Sequence, residues 1–484
     1  MRRAFTTGAK QATLAGSCQT EYPIMIPSLP PAPARHALRG RAITFGANPF
    51  LDDPARALVH EPDALILIED GHITRFGAFD ALHDTLPPDT PVTTWHDGII
   101  SAGFVDTHVH YPQLPMIAAY GEQLLEWLER YTFPTEARFA DADYAAGVAR
   151  RFLRELLRAG TTSAAVYCTV HPQSVDAFFT ESARLNTRMI AGKVLMDRNA
   201  PANLRDTPQG GYDASLALIE RWHQHGRQLY AVTPRFAATS TEEQLDLAGS
   251  LLRQREGLFM QTHLSENLAE VEWISHLFPR RTSYLDVYAH AGLVGPRSVL
   301  GHGVHVDEDT FHTCHAAGCA LAHCPTSNLF LGSGAFRLFD ALDPRRPVRV
   351  GLGTDVGAGT SLSQLQTLNE AYKVAQSTGR RLHPAQAFWL ATAGGAHALY
   401  LDDRIGTIAP GMEADLCVLD PHATPLMAQR AEQCETIEDL LFVLMMLGDD
   451  RSVRATYVAG QLVHDRDAPE AAGARGAGHI TSFT

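Results

Sequence analysis

The chain has 484 residues, a formal net charge of -14 at pH 7, 45% hydrophobic residues and 19% charged ones. That balance belongs to an ordinary globular protein with room for one large domain and one small one, and it excludes a disordered or fibrous chain. The acidic charge argues against nucleic acid, whose binding normally demands a basic stripe, and favours a small neutral or cationic substrate; no apolar stretch approaches the length of a membrane span. Seven cysteines, an odd number without a Cys-x-x-Cys pair, suggest neither a disulfide framework nor a thiolate metal site, and point to the cytoplasm.

In chain order, residues 1–38, with Pro27, Pro30, Pro31 and Pro33, read as a flexible tail in which Met25 is a candidate start. The twin arginine Arg2-Arg3 is followed by polar residues and Lys10 instead of the apolar run of an export signal. Residues 39–97 carry RAITFG, ALILIEDGHITRFGAF and PVTTWHDG, short strands with a type I′ hairpin signal at Asp70-Gly71.

Residues 98–403 alternate short apolar runs with longer helical periods, for example through Ala145 to Arg158 and Glu266 to His276. The runs are GIISAGFVDTH, TTSAAVY, RMIAGKVLM, QLYAVTPRF, GLFMQTH, SVLGH, CALAHC and VRVGLGTD, eight in all. The expected fold class is α/β, a closed (β/α)8 TIM-like barrel, with an open doubly wound sheet as the alternative. Residues 404–484 return to strand, turn, strand in GTIAPGMEADLCVLD and SVRATYVAGQLVHD. Neither flank is long enough to bury its own faces, so the two are expected to pair in a small composite β-sandwich, the alternative being two unrelated edge extensions.

Several runs finish in a metal-ligand type of residue at the carboxyl end of a strand, where barrel enzymes place their active sites. The first ends in His108 and His110, the fifth in His263, the sixth in His302 and the eighth in Asp355. A single histidine is more often a surface or satisfied core residue, but convergence from four strands reverses that weighting. Residues two apart on a strand share a face, so His108 and His110 point inward together while Val109 packs outward. Neutral imidazoles with one carboxylate suit zinc, with ferrous iron possible, and not calcium or magnesium. With His108, His110, His263 and Asp355 as ligands, one ion per chain would carry a water in a fifth position. His302 is either a ligand or a hydrogen-bond partner of the hydroxide that forms from that water.

Glu266, three residues after His263, is placed to shuttle protons beside the metal, its bland alternative being an acidic residue that favours a helix start. The chain has only Lys10, Lys193 and Lys373, and its fourth run ends in Arg235 and Phe236. A two-metal barrel needs a carbamylated lysine at that strand end, so one metal is expected, and with it deamination in place of amide-ring hydrolysis.

The strings GFVDTHVHYPQ, GKVLMDRN, TPRF, QTHLSEN, HCPTSNLFLGSG and GTDVGAGTSLS together resemble the guanine deaminases of the amidohydrolase superfamily and span the barrel from end to end. The resemblance implies that His108, His110, His263 and Asp355 hold one zinc, that Glu266 is the acid/base, that His302 contacts the hydroxide and that the chain forms a homodimer. It also implies zinc-activated hydroxide attack on C2 of guanine, giving xanthine and ammonia. Gln113 and Arg235 would read the purine edge, Phe236 would pack on the ring, and His263 and Glu266 would also face the substrate. The bland reading of Arg235 is a structural salt bridge. Two other functions stay open on sequence grounds: deamination of another aminated heterocycle, such as 8-oxoguanine, a pterin or an aminotriazine, and a non-catalytic scaffold barrel.

Overall fold

The computed structural model describes residues 33–468; the expected tail up to residue 32, with Met25, and the last residues of the chain lie outside them. The N-terminal flank forms strands β1 (Arg35–Phe45), β2 (Leu58–Glu69), β3 (His72–Ala78) and β4 (Val92–Ala102). Strand β1 starts inside the segment expected to be tail. His36, Ala37 and Leu38 lie opposite Ile68, Leu67 and Ile66 and are buried, so their backbone is as fixed as the rest of the sheet. At the β2–β3 turn Asp70 and Gly71 have φ of 48° and 79°, the pair of positive angles that a type I′ hairpin requires.

Eight strands then form the parallel barrel sheet, in the order of the eight apolar runs: β5 (Phe104–His110), β6 (Thr161–Tyr167), β7 (Arg188–Gly192) with a short continuation β8 (Val194–Leu195), β9 (Leu229–Pro234), β10 (Phe259–Leu264), β11 (Ser298–His302), β12 (Ala320–His323) and β13 (Arg349–Leu352). Just past β13 the ring closes on β5: Asp355 N–H donates to His108 O and His110 N–H to Val356 O, both at 2.9 Å. Val105, Ala165, Ile190, Ala231, Phe259, Val299 and Ala322, one from each of seven strands, pack in one cluster. Only an inward layer of a barrel brings seven successive strands to one place.

The connecting helices follow their sequence periods. Ala142–Arg158 is capped by the Asp141 side chain and buries Ala145, Val148, Ala149, Phe152, Leu153, Leu156 and Leu157, the i, i+3, i+4 stripe of a helix laid on a sheet. The helix Leu268–Leu277 begins after Glu266, with Asn267 and Glu270 forming its capping box. Glu270, not Glu266, therefore fills the helix-start role.

The C-terminal flank supplies β14 (Leu416–Leu419), β15 (Val453–Val458) and β16 (Gln461–Asp465). Both flanks join in one seven-stranded sheet, β16-β15-β14-β4-β1-β2-β3, in which β14 pairs antiparallel with β4. Its core draws on both ends of the chain, including Leu38, Ile66, Trp95, Ile100, Leu416, Val418 and Tyr457. The sheet is pinned to the barrel by a buried ion cluster: Arg188 on β7 and Arg227 before β9 both bind Glu413, and Arg227 also binds Asp415. Among the described residues, no helix is long and apolar enough to cross a membrane.

Candidate active site

At the carboxyl end of the barrel, ligand-type atoms gather around His108: those of His108, His263 and His302 lie within 4.8 Å of one another, and so do those of His108, Cys324 and Asp355. The Nε2 atoms of His110 and His263 stand 3.2 Å apart, and Asp355 Oδ1 lies 3.3 Å from His108 Nε2 and 3.4 Å from His110 Nε2. Ligand atoms bound at about 2.0–2.2 Å around a tetrahedral ion stand roughly 3.3–3.6 Å from one another, so these spacings are close to those of an ion held between them. Both ring nitrogens of His108 are buried without a hydrogen-bond partner. Buried polar atoms are normally bonded, and an orphaned pair beside two other imidazoles and a carboxylate is the chemistry of a metal site.

Each candidate ligand is held in place by the fold. Glycines make room for the His108 ring: a Cβ on Gly301 would lie 2.6 Å from its Cε1, and one on Gly353 would lie 2.8 Å from its Cβ. Beneath it the fully buried Asp106 accepts from the backbone N–H of His108 and of Thr354, tying β5 to the loop after β13. His263 Nδ1 lies 2.6 Å from the carbonyl of Arg235. Because a carbonyl only accepts, Nδ1 carries the proton and Nε2 is left with its lone pair. His302 Nδ1 is fixed in the same way by Asn328 Oδ1 at 2.9 Å. His302 and Asp355 have φ of 70° and 51°, left-handed angles uncommon for residues with a side chain and found at sites where geometry is imposed by function.

His302 Nε2 lies 3.4 Å from Glu266 Oε2 and 3.9 Å from Asp355 Oδ2. It therefore bridges the two carboxylates at the edge of the cluster. Burial lowers the pKa of His108, His110 and His263, the last aided by the positive charge that protonated His108 and His110 would bring, so all three offer neutral lone pairs. For His302 burial works in the same direction, but Glu266 and Asp355 outweigh it and hold the imidazole above its ordinary value. Burial pushes Glu266 up to about 7, the range of an acid/base at neutral pH. Burial also acts to raise Asp355, yet His108, His302 and His110 hold it well below the usual carboxylate range.

Over this cluster lies a pocket of about 410 Å³, its open mouth included. Its lining brings together Gln113, Arg235, Phe236, His110, His263, Glu266, His302 and Asp355, all singled out in the sequence, while His108 lies deeper. Arg235 also makes the salt bridge of its bland reading: Nη1 bonds Glu136 Oε2 at 2.7 Å, with both side chains buried. A pocket position and a structural ion pair coexist in one residue. Phe236 contacts the Trp273 ring edge-on, with centroids 6.2 Å apart.

Sequence reasoning missed the roof. Leu124, Trp127 and Leu128 line the pocket from the excursion between β5 and β6, and Leu331 lines it from the loop after β12. It also missed Cys324, whose thiol lies near His108 and Asp355, and Glu270, which accepts from Glu266 N–H at 2.8 Å and from Tyr284 Oη at 2.6 Å. The string MDRN lines none of the pocket. Asp197 N–H, Arg198 Nη2 and Asn199 Nδ2 bind the carbonyls of Thr239, Ala237 and Ala238 and so brace the loop that carries Arg235 and Phe236. Lys193 is turned away onto Asp206 and Val194 O.

A family profile described as "Amidohydrolase family" matches residues 99–463, and the chain belongs to that family. The guanine deaminase of Escherichia coli K12 is 50% identical over 434 residues, covering 89% of this chain and 98% of that protein. A solved structure of E. coli guanine deaminase superposes with a TM-score of 0.87 at 49% identity, over 89% of this chain and 100% of the other. A guanine deaminase from C. acetobutylicum, solved with guanine bound in its active site, gives 0.79 at 27% identity over 89% and 100% of the two chains. Within the amidohydrolases this chain takes its place among the guanine deaminases, hydrolases that act on a C–N bond.

Proposed function

We propose that the chain hydrolyses guanine to xanthine and ammonia. The observation that carries the reading is that one pocket lines up a candidate metal cluster, the buried carboxyl of Glu266 beside His302 and the side chains of Gln113 and Arg235. A single zinc held by His108, His110, His263 and Asp355, or ferrous iron in its place, would supply Lewis-acid activation of the attacking water.

The chain's own groups do the rest. Asp355 and His302 take up the proton that the water loses as its oxygen bonds to C2 of guanine. Glu266 delivers its proton to N3 as the ring loses its local aromaticity. It then takes the remaining proton of the new C2 hydroxyl and passes it to the exocyclic amine, so that C2=O forms, the C2–N bond breaks and ammonia leaves, and the proton held by Asp355 and His302 returns to Glu266. Arg235 donates to O6, and Gln113 supplies an amide to the same edge of the ring. Adenine carries an amino group where guanine has O6, which would leave a buried guanidinium arm unpaired at a cost on the order of 1–3 kcal/mol. Phe236 packs beside the ring.

The protein works in the cytoplasm as a homodimer on a free purine base, without nucleic acid or membrane. Zinc-replete protein incubated with guanine should form xanthine and ammonia in equal amounts. Absence of guanine turnover would end the reading, and faster turnover of 8-oxoguanine, a pterin or an aminotriazine in the same assay would move it to that ring.

A further inference from the structure

Glu136 lies in the short helix Phe133–Ala137, within the excursion between β5 and β6 that roofs the pocket, and its side chain has no solvent exposure. A buried carboxylate is tolerated only when its oxygens are bonded. Here the two oxygens go to two different strand ends: Oε2 accepts from Arg235 Nη1 at 2.7 Å, and Oε1 accepts from Gln113 Nε2 at 3.1 Å. Gln113 Oε1 in turn accepts from the backbone N–H of Gly357 at 3.2 Å.

These contacts fix more than position. A carboxylate cannot donate and a backbone N–H cannot accept, so Glu136 and Gly357 together determine which end of the Gln113 amide is nitrogen and which is oxygen. One N–H and one oxygen lone pair remain for a ligand. The Arg235 guanidinium is planar, so holding one arm on Glu136 orients the others, and the Phe133 ring from the same helix lies 5.7 Å from its central carbon. Glu136 also supplies the counter-charge that a buried guanidinium facing a neutral base needs.

We propose that Glu136 is a positioning residue that sets substrate specificity: it locks Gln113 and Arg235 into one donor and acceptor unit matched to the O6 and N1–H edge of a 6-oxopurine. The inference rests on the guanine reading above, and Glu136 touches none of the reacting atoms.

The test is Glu136→Gln in the full-length, metal-loaded protein. An amide at this position accepts only through its oxygen, so its NH2 must oppose a donor of Arg235 or Gln113. The measurements are kcat and KM for guanine, the inhibition constant of 2-aminopurine as a competitor, and metal content. 2-Aminopurine lacks O6 and N1–H, and its inhibition constant can be read whether or not it is itself turned over.

The expected result is a rise in the KM for guanine of roughly 10–100-fold, with kcat and the 2-aminopurine constant each within about threefold of wild type and metal content unchanged. Glu136→Asp keeps the charge but is too short to span both partners, and should retain part of the discrimination. Parallel weakening of both ligands, or a fall in kcat at constant KM, would overturn the proposal. Should Glu136→Gln not fold, Glu136→Asp decides alone, since full discrimination in that variant overturns it equally. Wild-type protein inactive on guanine would instead remove the parent reading, an outcome separate from all of these.

Discussion

His263 donates through Nδ1 to the main-chain carbonyl of Arg235 at 2.6 Å, so a candidate metal ligand is oriented by a residue whose side chain lines the pocket. The two contacts use different parts of Arg235. Its carbonyl holds the His263 ring and its side chain lines the pocket.

Replacing Arg235 by Ala should therefore separate them. The carbonyl survives, and metal content should stay at the wild-type level while the KM for guanine rises by roughly 10–100-fold. The variant should also melt earlier, because Glu136 is left as an unpaired buried charge, a loss of about 3 kcal/mol, and adding Glu136→Gln should return part of it. Loss of the metal in Arg235→Ala would show that the side chain is needed to build the cluster.

Glu266 stands at hydrogen-bonding range of Ser333 Oγ, 3.3 Å, and beside His302, but outside the converging ligand atoms. Glu266→Gln keeps the shape and removes the titrating proton. Turnover should fall by about 100-fold or more with the metal retained. Wild-type turnover in this variant would refute the acid/base role.

Gly301→Ala tests the space around His108. A Cβ 2.6 Å from the imidazole Cε1 must displace the ring, and the resulting loss of metal should be visible by elemental analysis at unchanged secondary structure. Wild-type protein stripped with a chelator is the control: zinc should restore its activity fully and that of Gly301→Ala only in part. Normal metal content in the variant would mean that the ring is not where the metal sits.

A pH effect on stability is expected from Glu413. Burial acts to raise its pKa, but Arg188 and Arg227 outweigh this and hold it below the ordinary glutamate value. A carboxyl whose folded-state pKa is depressed stabilises the fold above its unfolded pKa, near 4.3, and loses that contribution as the pH falls through the folded value. Glu413→Gln should accordingly lower stability by about 3 kcal/mol at neutral pH, and the gap to wild type should narrow below about pH 4. Thermal midpoints of both proteins across that range give the comparison, and a gap independent of pH would contradict the assignment.

The barrel and its cluster were legible because strand ends are marked twice in a sequence, by an apolar run and by where it stops. His108, His110, His263, His302 and Asp355 all stand at such stops. Glu136, Trp127 and Leu128 carry no such mark. They come from short helical turns between β5 and β6 whose order is set by the pocket they cover, and tertiary contact leaves no period to read. The function of MDRN was hidden for another reason. The side chains of Arg198 and Asn199 bond main-chain carbonyls, and any sequence offers those. The early start of β1 was hidden by prolines upstream, which say nothing about whether His36 to Leu38 find partners.

The seam at which β5 meets the segment after β13 has a consequence for how the protein is made. His108 and His110 leave the ribosome early, and Asp355 arrives only after all the intervening strands have been synthesised. Until Asp355 N–H reaches His108 O, the histidine pair lacks the carboxylate that closure of the ring brings beside it. A chain that stops short of Asp355 has neither the last seam of the barrel nor the full set of candidate ligands.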